Sequence, residues 1–146
     1  MLPAYYRFRV LNKTDQILTY ANGARVDVKA TPWKMTAGAM AYGTAIEDST
    51  SILNTGETIA VDGEAAGDVH NNSSDKFCGL KGVFKIISDQ TSTDGAFYLY
   101  MEESPDNVIW PSDLSAFSIT KHCILVAVLE VATTGTNKGA AVNFEI

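Results

Sequence analysis

Two cysteines, two histidines and a scatter of carboxylates are the residues with which this chain could do chemistry. One cysteine and one histidine are neighbours, His122-Cys123, in a run that reads as strand. Successive strand side chains point to opposite faces, so this pair cannot form a dyad or share a metal. Nucleophilic catalysis needs a nucleophile, a base beside it and a group that orients the base. Cys78 and His70 are the one such pair whose separation leaves contact open, and Phe77-Cys78-Gly79 reads as easily as a small buried hydrophobe at a strand edge. Serines are numerous, yet no Gly-x-Ser-x-Gly elbow occurs. The expectation is a protein that is not an enzyme, with no catalytic residue assigned.

The carboxylates offer little more. Asp62-Gly63-Glu64-Ala65-Ala66-Gly67-Asp68 resembles a calcium loop in its first, third, sixth and seventh positions, but Ala66 takes the fifth and Ser73 the twelfth, where a bidentate Glu is required. An acidic solvated loop is the better reading, and calcium binding there stays open. Glu102-Glu103 are adjacent and would face opposite ways on a strand, unlike two acids in one cleft; an exposed strand end is expected. Gly79-Leu80-Lys81-Gly82 lacks the spacing of a phosphate loop. No cofactor and no metal is expected.

The aromatic residues are more suggestive. Trp33 follows Pro32 and Trp110 precedes Pro111, which puts both indoles at loop or strand-edge positions. Such rings anchor interfaces or stack on sugars because they bring large area with little entropy to lose. They also plug the ends of sandwiches, the reading preferred for Trp33; for Trp110 both stand.

Elements that would position these residues are short strands. In 5–11, Tyr6, Phe8 and Val10 alternate with Arg7 and Arg9, as in a half-buried strand. Residues 17–21 and 24–29 flank Asn22-Gly23, a pair that tolerates the positive φ of a type I′ turn and so predicts a hairpin, with Val26 and Val28 inward. Pro32 is expected to end or edge that strand. Residues 37–46 read as irregular, 50–53 and 58–62 as short strands about a turn at Asn54-Thr55-Gly56, and 63–75 as a long surface loop of the kind that reaches partners. A second hairpin is expected from 82–88 and 96–102, where Phe97, Leu99 and Met101 alternate with Tyr98 and Tyr100. Residues 121–132, apolar on both faces, predict a central buried strand. The alternating 140–146 predicts a paired terminal strand, in its own sheet or another subunit's. About eight strands with turns every 8–12 residues predict an all-β fold, a single antiparallel β-sandwich of jelly-roll or immunoglobulin-like type over 1–146.

Composition narrows the class. A chain of 146 residues can bury about 70% of its unfolded surface and needs no staple. Eleven Lys and Arg against seventeen Asp and Glu give a net charge of −6, and the lack of a basic cluster disfavours nucleic acid. The longest apolar run, seven residues from Cys123 to Leu129, is far short of the roughly 20 that a membrane helix needs. The N-terminus lacks the pattern of a secretory signal, so synthesis in a cytoplasm is expected. Two cysteines are too few for a disulfide framework, and a single bridge between Cys78 and Cys123 stays open.

The run of strands joined by Ala, Gly, Thr and Ser, as in 35–58 and 133–139, resembles the small β-sandwich structural proteins of tailed-phage virions, such as capsid decoration or cement proteins and tail or adaptor components. That resemblance is one of style across the chain and carries no residue-by-residue motif. It implies a non-enzymatic virion protein, made in the host cytoplasm, that binds capsid or tail subunits, forms a homo-oligomer such as a trimer or ring, and stabilises a symmetric assembly. Junctions of about 1,600 Å² hold such lattices, and many copies make weak contacts effective. Contact surfaces are expected at 35–42, 63–75 and 105–113, with Trp33, Met35, Met40, Tyr42, Asp68, Asn72, Val108 and Trp110 as the interface residues. The alternative is a carbohydrate- or receptor-binding sandwich using Trp33, Trp110 and Tyr98 or Tyr100 as a stacking platform.

Overall fold

A computed structural model of the chain describes residues 1–130 and 139–146. Through them run the strands β1 (Tyr5–Thr14), β2 (Leu18–Thr19), β3 (Arg25–Thr36), β4 (Ala39–Tyr42), β5 (Ile46–Asp48), β6 (Thr58–Ile59), β7 (Glu64–Ala66), β8 (His70–Asn71), β9 (Gly79–Ile87), β10 (Gly95–Ser104), β11 (Ile124–Glu130) and β12 (Gly139–Glu145), and one helical turn, α1 (Ile119–His122). A front sheet has the order β11-β10-β1, with β7 and β8 both on the far side of β1; a back sheet has the order β12-β9-β3, with β4 and β5 both on the far side of β3. β2 and β6 form a separate small ribbon. This is an all-β antiparallel sandwich with more strands than the eight expected, the surplus being two- to four-residue pieces in the Ala/Gly/Ser stretch.

Period-2 alternation builds the core from both inner faces. Phe8 and Val10 of β1, with Phe97, Leu99 and Met101 of β10, face Val26 and Val28 of β3 and Phe84 of β9, all buried. Phe8 meets Phe144 of β12 edge-on across the gap, their rings 6.0 Å apart. Each such side chain contributes roughly 1.5–3 kcal/mol by leaving water. β1 is covered on its other face too: Leu11, Tyr100 and Ile119 make a second small cluster beneath residues 105–123. It is therefore not the half-buried strand expected.

Several local expectations are corrected by the pairing. Asn22-Gly23 does not turn a hairpin: Leu18–Thr19 pairs with β6, Tyr20–Asn22 forms a 3-10 turn, and Gly23, at φ 99°, ends it. The two-residue hairpin turn lies instead at Ala37-Gly38, both with positive φ (51° and 82°), so 37–46 is irregular only over 43–45 and otherwise holds this turn, β4 and the first residue of β5. β3 does not stop at Pro32, which pairs with Leu80 on one side and turns its missing N–H toward the place where β5 gives way to β4. The 82–88 and 96–102 strands are in different sheets, so the loop between them crosses the sandwich and makes no hairpin.

Residues 50–53 form a bend that buries Ile52 and Leu53, and only Thr58–Ile59 of the second expected strand is paired. The 63–75 segment is no free loop, because β7 and β8 within it run along β1. Residues 121–132 do not form a central strand: His122 ends α1, Cys123 follows it, and β11 is an edge strand whose Ile124, Leu125 and Val128 are exposed. Val131, Ala132 and the connection through Lys138 lie outside the described residues. β12 pairs with β9 of its own chain.

One device recurs in both sheets. β7 pairs with Arg9–Leu11 and β8 with Tyr5–Tyr6, leaving a break at Phe8, whose carbonyl accepts the Gly67 N–H at 2.8 Å. β5 pairs with Val28–Ala30 and β4 with Trp33–Thr36, leaving a break at Pro32, whose carbonyl accepts the Gly43 N–H at 2.8 Å. Each sheet thus has one edge divided in two and bridged by a glycine.

Candidate functional site

β3 and β4 carry one of the exposed apolar surfaces that the sequence pointed to. Opposed residues of an antiparallel pair share a face, and so do residues two apart. Trp33 is opposite Tyr42 and Met35 opposite Met40, so all four lie on one face of the hairpin. Met35, Met40 and Tyr42 are 55%, 47% and 58% exposed. Trp33 is half-buried at the hairpin's root, its ring packed over Gly79, where any Cβ would collide with it. The tight turn at Ala37-Gly38 holds the tip in register, and Ala37 adopts the left-handed conformation at a cost of about 1–2 kcal/mol.

The remaining expected contact residues are dispersed. Asp68 is exposed ahead of β8. Val108 is 75% exposed and stands beside Ile109 on the loop over the front sheet. Asn72 is buried and works for the fold: its amide donates to the carbonyls of Leu2 and Phe77 and accepts the Phe77 N–H. Trp110 is buried as well, with the Arg7 guanidinium 4.4 Å over its ring. Tyr100 is buried and Tyr98 half-buried on the front sheet, whereas Trp33 belongs to the back sheet, so the four aromatics are not gathered into one platform.

Of the chemistry-bearing side chains, His70 is engaged with Asp48 rather than with Cys78. Its Nε2 lies 3.2 Å from the buried Asp48 carboxylate, and its ring packs against Tyr6 and Phe8. Cys78 and Cys123 are both free thiols. His122 caps its own turn through Ser118. In the acidic segment, Asp62 pairs with Lys13 at 2.7 Å and Glu64 with Arg9 at 3.0 Å, so those carboxylates diverge. Among the described residues no three His, Cys, Asp or Glu side chains converge as a metal site would need, and no helix is long and apolar enough to cross a membrane.

Glu102 is the largest departure from expectation, since it is fully buried rather than an exposed strand end. Its Oε2 accepts from Arg7 at 2.7 Å and Arg9 at 2.9 Å, and its Oε1 accepts the Ser112 N–H at 2.7 Å. Burial pushes its pKa up, but the hydrogen bonds from Arg7 and Ser112 and the Arg9 charge outweigh it and hold the carboxyl below its ordinary value. With every oxygen occupied, the group clamps residues 105–113 onto the front sheet. Its neighbours Arg7 and Arg9 in the Tyr5–Leu11 alternation were the signal that a buried acid was needed.

Known families give no purchase. Comparison with family models, characterised proteins and solved structures found no match.

Proposed function

We propose that this protein is a non-enzymatic structural subunit that binds and stabilises a symmetric protein assembly, in the manner of a capsid decoration or tail component of a virion. Its partners are capsid or tail subunits and further copies of itself, with the virion as its location and the host cytoplasm as its place of synthesis. The observation that carries this reading is the apolar face of the β3–β4 hairpin, where paired Met35 and Met40 stand exposed beside Tyr42. Methionine adapts its shape to a partner and tyrosine supplies area at low entropic cost, the composition of a protein contact. Val108 and Ile109 add a second exposed apolar point on the other sheet, which suits a subunit with more than one neighbour.

Native mass measurement and negative-stain imaging at several concentrations test it. The expected result is a trimer or ring that grows with concentration and is weakened by Met35→Ser with Met40→Ser, while the melting temperature stays put. A monomer at every concentration up to about 1 mM, where even weak association saturates, overturns the self-association.

A further inference from the structure

We propose that the cleft between the divided edges of the two sheets binds a neutral saccharide, stacked on Tyr42 and held through its hydroxyls by His70, Asn71 and Asp75. The cleft is about 650 Å³, within the range of small-ligand sites, and takes its walls from both sheets. A sugar presents C–H groups on its ring faces and hydroxyls round its rim. A site for it therefore needs an aromatic face together with polar groups whose hydrogen-bonding capacity is unspent.

Both are here. Tyr42 stands at the rim, 58% exposed, and half-buried Phe77 adds aromatic surface, with Tyr6 buried behind them. His70 spends Nε2 on Asp48, and among the described residues its Nδ1 has no partner. Asn71 uses its oxygen on the Ser73 N–H and keeps its NH2 group for a ligand. Asp75 accepts from Lys34 through its backbone carbonyl, and its carboxylate enters no ion pair among the described residues.

Charge decides the ligand class. An anion would meet the carboxylate of Asp75 and that of Asp48 behind His70, on a chain of net charge −6. A cation would find one carboxylate on the wall, the solvent-exposed Asp75, since the Asp48 carboxylate is already engaged by His70. The walls are also set in advance. The Asn72 side chain ties down Phe77 through bonds of 2.7 and 3.2 Å, and Gly43 lets the Phe77 ring approach where any Cβ would strike it. Such preorganisation lowers the ordering cost of binding.

The site goes beyond the assembly reading and is tested apart from it. Maltotriose, chitotriose and lactose are titrated to about 10 mM, a range that detects millimolar affinity, while NMR follows the Asn71 side-chain amide and the His70 ring. At least one should shift both resonances saturably, and Tyr42→Ala and Asp75→Ala should each weaken that saccharide about tenfold or more. Both positions are exposed, and an otherwise unchanged spectrum verifies the fold. Silence toward all three saccharides, shifts that survive both substitutions, or a response to inorganic phosphate or choline in place of the sugars would each overturn the proposal.

Discussion

Asp48 and His70 meet at 3.2 Å across the seam of the sandwich, one from β5 of the back sheet and the other from β8 of the front. Asp48 faces inward beside Val28 with its side chain 1% exposed, and its Oδ1 has no partner among the described residues. Removing the imidazole leaves that buried carboxylate without a side-chain hydrogen-bond partner among the described residues. His70→Ala should destabilise the fold by about 1–3 kcal/mol. Adding Asp48→Asn should recover part of the loss, because an amide is cheaper to bury than an unpaired charge. Urea midpoints of the two singles and the double variant check the coupling.

Gly67 sits against the same carboxylate. A Cβ there would run into the Asp48 side chain and approach Ile52 at 3.0 Å, while the Gly67 N–H bridges the break in the front edge. Gly67→Ala should cost about 1–3 kcal/mol, the usual range for forcing extra atoms into a packed site. Gly38, by contrast, has nothing near its Cβ position but a φ of 82°, so Gly38→Ala should lose about 1–2 kcal/mol from conformation alone. Melting temperatures of both variants, with crystal structures of each, separate collision from backbone strain.

Glu102 should govern the acid limb of stability. Its folded pKa is depressed, so its contribution is present above the ordinary value of 4.5 and is lost as pH falls through the folded value. Glu102→Gln should remove that acid slope and cost about 3–5 kcal/mol at neutral pH, since Arg7 and Arg9 keep their charges without their counterion. Urea unfolding from pH 3 to pH 7 on both proteins reads the slope and the offset together.

On the alkaline side the sign reverses. Burial, with the Glu102 charge adding to it, pushes the Cys123 thiol up to about 12 from an ordinary 9.0, and burial with Asp48 raises Tyr6 to about 12 from 10.0. Raised folded values give stability that is complete below the unfolded pKa and is lost as pH climbs through the folded one. Stability should therefore decline from about pH 9 upward, and Cys123→Ser should delay the onset toward 10. Iodoacetamide at pH 8 should label Cys123 far more slowly in the folded protein than in urea, as peptide mapping would show.

What could be read from the sequence, and what could not, follows from the range of the forces involved. Alternation in Val26-Asp27-Val28 is legible because one face of the strand fills the core and burial acts on every second residue, and Phe97, Leu99 and Met101 alternate for the same core although Tyr100 on the other face is buried too. Partner choice is not local. Asn22-Gly23 carries the local signature of a hairpin, yet Leu18 finds its partner at Ile59, and the Ala37-Gly38 turn succeeds without that signature because β3 continues through Pro32. Glu102 looks solvated beside Glu103 until Arg7 and Arg9, 95 and 93 positions away, are laid next to it. The exposed side chains of the hairpin were legible as apolar groups in weakly patterned sequence, whereas Trp110, for which both readings stood, is buried because the guanidinium that covers it comes from β1. The cleft was illegible for the same reason, since its walls come from four stretches of the chain.

The divided edges have a consequence for life at high concentration. A continuous edge strand is a template on which any passing chain can extend the sheet, and long flat edges lead to fibres. On the side where β4, β5, β7 and β8 lie, an intruding strand finds ladders of at most four residues, each interrupted at a glycine already bonded inward. Backbone-driven growth is frustrated there, while the side chains of the hairpin stay available. On that side the protein meets its neighbours by surface shape and not by sheet extension, and pairing is left to the opposite edges, β11 and β12.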